Sequence, residues 1–413
     1  MPACPPGFSG GGSVGTAFLR AWVRLCGYTS GHIDMRIANS QRLYLLFSTN
    51  TTCCAIWGVI NPDSDSLGLN GPRTSGKVPG HMKALAVSLF LTAVLAAEAR
   101  VSPQNLNRAF VADNEYIRLK DWANDAGFNM KWVKAAGTIT LTNPSVKLVL
   151  TVDTRRAEIG GVNVWLSLPV VNRNGAVLLS LVDARTTLEP ILFPQKSDAR
   201  LKTICLDPGH GGKDKGEVVG RNYEKDYALL LAREVEKLLK HEGLQVLLTR
   251  DSDDFVDLSS RPLMARRRGA DLFVSLHYNA APEHAVGGLE VYCLTPAGMN
   301  SSDKGGGKGL HPPEAGNAHD GQNALLAYEL LKAITAGMPM EDRGMKRERF
   351  EVLREAAMPA VLIEGGFMSN PADAKNIYDT AFRKRMAQAI VDGILAYKRA
   401  VERIPNGPSP AAH

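Results

Sequence analysis

Residues 203–212 constrain this chain more than any other stretch. Thr203-Ile204-Cys205-Leu206 is a short apolar run that reads as a buried strand, and Asp207-Pro208-Gly209-His210-Gly211-Gly212 follows at once. Proline and three glycines turn the backbone sharply and leave one histidine at the strand's carboxyl end. In open α/β sheets that end is where ligands sit. A histidine placed there can be a metal ligand, a base or a turn residue, and the turn alone does not choose among them.

Downstream, strand-like and helix-like periods alternate from residue 200 to 402. A helix over 226–241 places Leu231, Val235, Leu238 and Leu239 on one face, and Gly243 closes it. Strand 244–249, a helix around 258–268, and strands 271–276 and 288–294 follow. Residues 296–318 form a loop rich in Gly, Pro and Ser, long enough to suggest a role such as gating. A helix over 322–335 and strands near 350–353 and 360–363 lead to the last helix, whose stripe is Phe382, Met386, Ile390, Ile394 and Tyr397. The pattern predicts an α/β domain, a mostly parallel sheet flanked by helices.

Three further residues belong at the rim of such a sheet. Glu224 precedes the first helix, His277 ends the apolar run 272–276, and Glu364 ends the run 361–363. Two histidines and one glutamate make the ligand set of a catalytic zinc with an open position, and a fourth group that is not a ligand can serve as base. A single Glu at a helix start is usually a dipole-favoured cap. Four such residues on one rim carry more weight than any one alone.

Residues 109–195 read as a small α+β accessory domain. Lys120–Ala126 is amphipathic and stops at Gly127; runs at 129–133, 138–141 and 147–152 alternate as strands do; Asn172-Arg173-Asn174-Gly175 is a hairpin turn. A short helix is expected over 182–188. Residues 100–200 contain no His or Cys, so they lack the imidazole and thiolate ligands of a copper site.

Residues 1–81 are sparse in charge and lack a long amphipathic period, and are expected to be a non-native or disordered extension. Met82-Lys83, the apolar run 84–95 and Ala97-Glu98-Ala99 have the three parts of a secretory signal peptide over 82–99. The run is shorter than the roughly 20 residues of a spanning helix, so no membrane span is expected in the mature chain. Translation is expected to start at Met82, with the protein reaching the periplasm or extracellular cell envelope. Residues 403–413 are expected to be a disordered tail.

Composition excludes some partners. The net charge of +6 is scattered, which argues against nucleic acid. Cys205 and Cys293 lie in apolar runs as buried thiols, and with no CxxC pair a cysteine zinc site is not expected. Gly305-Gly306-Gly307-Lys308 lacks phosphate-loop spacing and the following Ser or Thr.

The motifs Leu206 to Asp214, Glu224-Lys225-Asp226, Leu248-Thr249-Arg250-Asp251, Phe273 to Asn279 and Met358 to Asn370, taken in order, closely resemble the zinc-dependent N-acetylmuramoyl-L-alanine amidases. The resemblance covers roughly 201–400. It implies Zn2+ held by His210, Glu224 and His277, with Glu364 as the catalytic glutamate. Asp207 is expected to orient His210. It further implies hydrolysis of the amide between the lactyl group of N-acetylmuramic acid and L-alanine, peptidoglycan as partner, and room for an activator protein. Tyr278 and Gly365 depart from the family pattern without removing a site residue. The helix-Gly-Phe-x-x-x-Trp run after Lys120 and the Leu-Pro-Val-Val-x-x-Asn-Gly run resemble the N-terminal module of copper amine oxidases. A spacer or wall-binding role follows from that resemblance.

Overall fold

The computed structural model describes the backbone of residues 31–37, 42–49, 52–59 and 68–70, and residues 108–133 and 137–403 in full. The chain divides into two units, Met1–Arg100 and Val101–His413. In the first, strands β1 (Gly31–Ile37), β2 (Arg42–Thr49), β3 (Thr52–Val59) and β4 (Gly68–Asn70) form an antiparallel meander. The signal segment 82–99 and the tail from 404 lie outside the described residues.

The second unit opens with a hairpin, β5 (Arg108–Val111) and β6 (Asn114–Arg118), followed by helix α1 (Leu119–Asp125). Gly127, at φ +72°, ends the helix in the left-handed conformation that a residue with a Cβ resists. An antiparallel series follows: β7 (Asn129–Val133), β8 (Thr138–Thr142), β9 (Lys147–Thr151), β10 (Arg156–Ile159) and β11 (Val162–Trp165). Strands β12 (Val171–Arg173) and β13 (Ala176–Ser180) are joined at Asn174 and Gly175, both at positive φ, as a hairpin turn of this type requires. The short helix expected after it extends over residues 181–192 and includes a π-helical turn, Ala184–Leu188.

The C-terminal part follows the expected alternation. Its elements are β14 (Thr203–Pro208), the small pair β15 (Val218–Val219) and β16 (Asn222–Tyr223), α2 (Glu224–His241), β17 (Gln245–Leu248) and α3 (Ser260–Arg267). Next come β18 (Leu272–Asn279), β19 (Leu289–Leu294), α4 (Asp320–Gly337) and β20 (Asp342–Glu348). The last are α5 (Glu351–Arg354), β21 (Ala360–Phe367), α6 (Pro371–Tyr378) and α7 (Thr380–Val401). The segment expected as a strand near 350–353 is instead helix α5. The strand lies earlier, over a charged stretch whose polar side chains mask the period of two.

One sheet of eleven strands runs through the unit, in the order β17-β14-β18-β21-β19-β20-β11-β10-β9-β8-β7. Strands β17, β14, β18 and β21 are mutually parallel; β19 is antiparallel to β21, and β20 is parallel to β19. The accessory strands join through the parallel pair β11–β20, with Val164 opposite Met345. The accessory module therefore extends the catalytic sheet. Alternation sorts the two faces. Leu206, Leu276, Ile363, Val291, Met345 and Val164 point into the main core, against α2, α4 and α7. Phe273, Tyr292, Leu294, Ala360 and Leu362 point into a second, smaller core with α3 and α5. All five residues of the predicted stripe on α7 are buried, as are Cys205 and Cys293.

Candidate active site

The end of β14 turns into a loop whose conformation is costly and heavily buttressed. His210 itself has φ +61°, followed by Gly211 at +129° and Gly212 at +59°. A non-glycine residue in that region persists only when its surroundings over-determine it. Two buried arginines do so. Arg250 donates from Nε to the Pro208 carbonyl (3.0 Å) and from Nη2 to the Gly209 carbonyl (2.7 Å). Arg261 donates to the carbonyls of Pro208 (2.9 Å) and His210 (2.8 Å). Gly209 has a separate reason: a Cβ there would stand 2.2 Å from Cε1 of His277.

Glu224 is the first residue of α2 and 4% exposed. Its Oε2 lies 2.9 Å from His210 Nε2, and its Oε1 lies 2.9 Å from His277 Nδ1. Backbone N–H groups of Glu217 and Tyr278 donate to the two oxygens at 3.0 Å each. The imidazoles meet edge to face, centroids 4.8 Å apart. One donor atom from each of His210, Glu224 and His277 lies within 4.8 Å of the others. Gly216 leaves room for this cluster, since a Cβ there would be 2.4 Å from Glu224 Oε2.

Burial pushes the Glu224 carboxyl pKa up, but hydrogen bonds from both histidines outweigh it and hold it well below the usual carboxylate range. Burial pulls His210 down, and the Glu224 and Asp214 carboxylates reverse that to a net rise. The donor chemistry suits a dication: two imidazoles, one carboxylate kept ionised, and, among the described residues, no Lys or Arg paired with that carboxylate.

His277 does not end its strand; β18 runs on to Asn279, and Glu364 likewise lies inside β21. The two residues are directly paired across the strands. Glu364 Oε2 is buried without a hydrogen-bond partner. Burial, then the charges of Glu224 and Glu290, raise its pKa well above the ordinary carboxylate value. A carboxyl group with a high proton affinity, one strand from a cluster that could hold a metal ion, is equipped to take and return a proton.

Asp207 does not orient His210. It is fully buried, and its oxygens accept from Thr249 Oγ1 (2.6 Å), Arg261 Nη1 (2.8 Å) and Ser275 Oγ (2.8 Å). It holds Arg261, which in turn holds the turn's carbonyls. The partner of His210 Nδ1 is Asp214, at 2.9 Å. Asp214 follows His210 by four residues in the Gly-Gly-Lys-Asp run, so its nearness in sequence was the available signal. Arg261 had no such signal, because only the packing of α3 brings it to the turn. Gly365 and Tyr278 fit each other: a Cβ at 365 would stand 3.2 Å from the tyrosine ring.

The long loop does not reach this site. It leaves β19 beyond Leu294, at the end of that strand opposite to Glu290 and Glu364. Its bonds run to the accessory module and to β20: Gly307 N donates to the Ser167 carbonyl (2.9 Å), Arg155 Nη2 to the Ser302 carbonyl (3.2 Å), and Asp303 N to Glu348 (2.9 Å). It acts as a strap between modules.

Residues 204–396 match the family model described as N-acetylmuramoyl-L-alanine amidase, and residues 102–188 match that of the copper amine oxidase N-terminal domain. The first match sets the class, a hydrolase of amide bonds. The "Probable cell wall amidase LytH" of Staphylococcus aureus is 32% identical over 243 residues, which are 58% of this chain and 73% of that protein. The chain belongs to the N-acetylmuramoyl-L-alanine amidase family. Among solved structures, the catalytic domain of CwlV from Bacillus (Paenibacillus) polymyxa var. colistinus is 34% identical, covering 48% of this chain and 99% of that one, with a TM-score of 0.40. An amidase from Clostridium difficile 630 is 32% identical, covering 48% and 97%, with a TM-score of 0.41.

Proposed function

We propose that this enzyme is a zinc-dependent amidase that releases stem peptides from peptidoglycan by hydrolysing the amide between the lactyl group of N-acetylmuramic acid and L-alanine. The observation that carries the reading is the juxtaposition of the His210–Glu224–His277 donor set with the unpaired Oε2 of Glu364 on the adjacent strand. His210, Glu224 and His277 would hold the ion. Zinc in such a site polarises a carbonyl and lowers the pKa of water toward about 7. Glu364 takes the proton of the attacking water and returns it to the leaving amine of L-alanine. Asp214 holds His210 through Nδ1, leaving Nε2 directed at the cluster. Arg250 and Arg261 keep the His210 turn rigid, so the imidazole needs no reorganisation.

Digestion of purified sacculi with and without a chelator tests this reading. The expected products are free stem peptides with an unblocked N-terminal L-alanine, lost with chelator and restored by zinc. A peptidase would instead cut between amino acids, and a non-catalytic wall-binding protein would release nothing; either product pattern overturns the reading.

A wall substrate places the enzyme outside the cytoplasm, in the periplasm or extracellular envelope, and residues 82–99 are read as the signal that takes it there. Among the described residues, no helix is long and apolar enough to cross a membrane. N-terminal sequencing of the native protein is expected to find a start just after Ala99; a mature chain beginning near Met1 sinks this assignment.

A further inference from the structure

The sheet face that carries His277 and Glu364 does not stop at the catalytic strands. Glu364 on β21 is paired with Glu290 on β19. Glu290 is 2% exposed, yet it is an ion-pair hub: Arg343 Nε donates to its Oε1 at 2.8 Å, Lys346 Nζ also pairs with it, and Asn279 Nδ2 and Tyr292 Oη donate to Oε2 (3.0 and 2.6 Å). Arg343 and Lys346 lie on β20, beside the accessory strand β11. Val164 and Met345 both face the main core, so Trp165 and Lys346 lie on the opposite face, the one that carries Glu364. A polar row thus runs across adjacent strands, from the candidate metal ligands to the accessory module.

Where the modules meet, the row opens into a cavity of about 170 Å³ lined by Arg156, Asn163 and Trp165 from one and Glu341, Asp342, Arg343 and Lys346 from the other. That exceeds an engineered protein cavity of about 150 Å³ that takes up benzene. The seam is stitched by Trp165 Nε1 donating to the Arg343 carbonyl (3.0 Å) and Asn163 N donating to Asp342 Oδ2 (2.8 Å). Asp342 is occupied, its Oδ1 accepting from Gly344 N at 2.8 Å. Lys346 and Arg343 Nε are held by Glu290, but among the described residues neither the Arg156 guanidinium nor Arg343 Nη2 has an acceptor. The cavity thus offers free guanidinium donors, alongside one exposed carboxylate, Glu341, that has no ion pair among the described residues.

We infer that this seam cavity is a substrate subsite, completed by the accessory module, that binds a carboxylate of the stem peptide beyond L-alanine. The inference rests on the amidase reading and names what that site recognises. Strand spacing supports it. Two strand intervals of about 4.8 Å separate β21 from β20, roughly 10 Å in all. An extended peptide covers about 3.4 Å per residue, so about three residues past the scissile amide reach Arg343 and Lys346, and one more strand reaches Arg156 and Trp165. Stem peptides carry free carboxyl groups along that length. A spacer domain would need no cavity with free guanidinium donors beside the catalytic strands.

The test uses the full zinc-loaded enzyme and two soluble muramoyl-peptides, identical except that the carboxyl groups beyond L-alanine are free in one and carboxamides in the other. The wild type is expected to show a KM about tenfold lower for the acid form. Arg156→Glu, an exposed change at a side chain without an ion pair, is expected to abolish that preference by raising KM for the acid form alone. Zinc content and thermal midpoint are the folding controls. Equal KM for the two forms in the wild type, or an Arg156→Glu effect of the same size on both, overturns the subsite and leaves the amidase reading intact. Cleavage of neither form by the wild type overturns the amidase reading itself.

Discussion

Glu364→Gln is expected to lower kcat on wall fragments by about 10²–10⁴-fold, the contribution typical of a positioned general base, while zinc content and KM stay near wild type. The substitution keeps the side chain's size. It replaces an oxygen that has no partner in the folded protein, so no existing hydrogen bond is lost and the fold has little reason to respond. What disappears is the capacity to accept a proton. The pH profile gives a second reading. Burial, then the Glu224 and Glu290 charges, favour the protonated form, and the base is active only when ionised. The rate must therefore rise with pH as Glu364 deprotonates, along an acid limb above the ordinary carboxylate range. That limb is expected in the wild type and absent in the residual activity of Glu364→Gln. A variant that still releases stem peptides at wild-type rate refutes the role.

His277→Ala is expected to fail differently, by losing the metal. Binding energies of about 10–16 kcal/mol for four-ligand zinc sites correspond to roughly 2.5–4 kcal/mol per ligand, or about two to three decades of affinity. The rest of the cluster should survive in place, because Glu224 keeps His210 and the backbone donors of Glu217 and Tyr278. Zinc retained after dialysis against a graded chelator series separates the variants: Glu364→Gln should follow the wild type, and His277→Ala should empty far earlier. Retention of zinc by His277→Ala at wild-type chelator concentrations would remove that residue from the ligand set.

The catalytic module was legible in the sequence because its elements are short-range events. Apolar runs such as 203–206 and 272–276 are long enough to specify buried strands, and glycines at 127 and 243 stop helices where positive φ is needed. The four candidate site residues could be named because each follows an apolar run or opens a helix, although His277 and Glu364 lie inside β18 and β21. The charged stretch 342–348 hid β20, since Asp342, Arg343, Lys346, Arg347 and Glu348 obscure the period of a strand whose charged side chains are satisfied by hydrogen bonds and ion pairs. Asp207 illustrates a second limit. Adjacency to the turn suggested a bond to His210, yet in a strand that side chain points where the pleat sends it, toward Thr249, Ser275 and Arg261.

By itself the sequence determined the α/β alternation, the turn that lifts His210 out of β14, and a set of candidate site residues beside the apolar runs. Tertiary structure alone decided that Asp214 holds His210, that Arg250 and Arg261 clamp the turn, and that the two modules share one sheet through β11 and β20. Periodicity records which face of an element is apolar. Which edge pairs with which across some 180 residues of chain depends on global packing, and no local pattern encodes it.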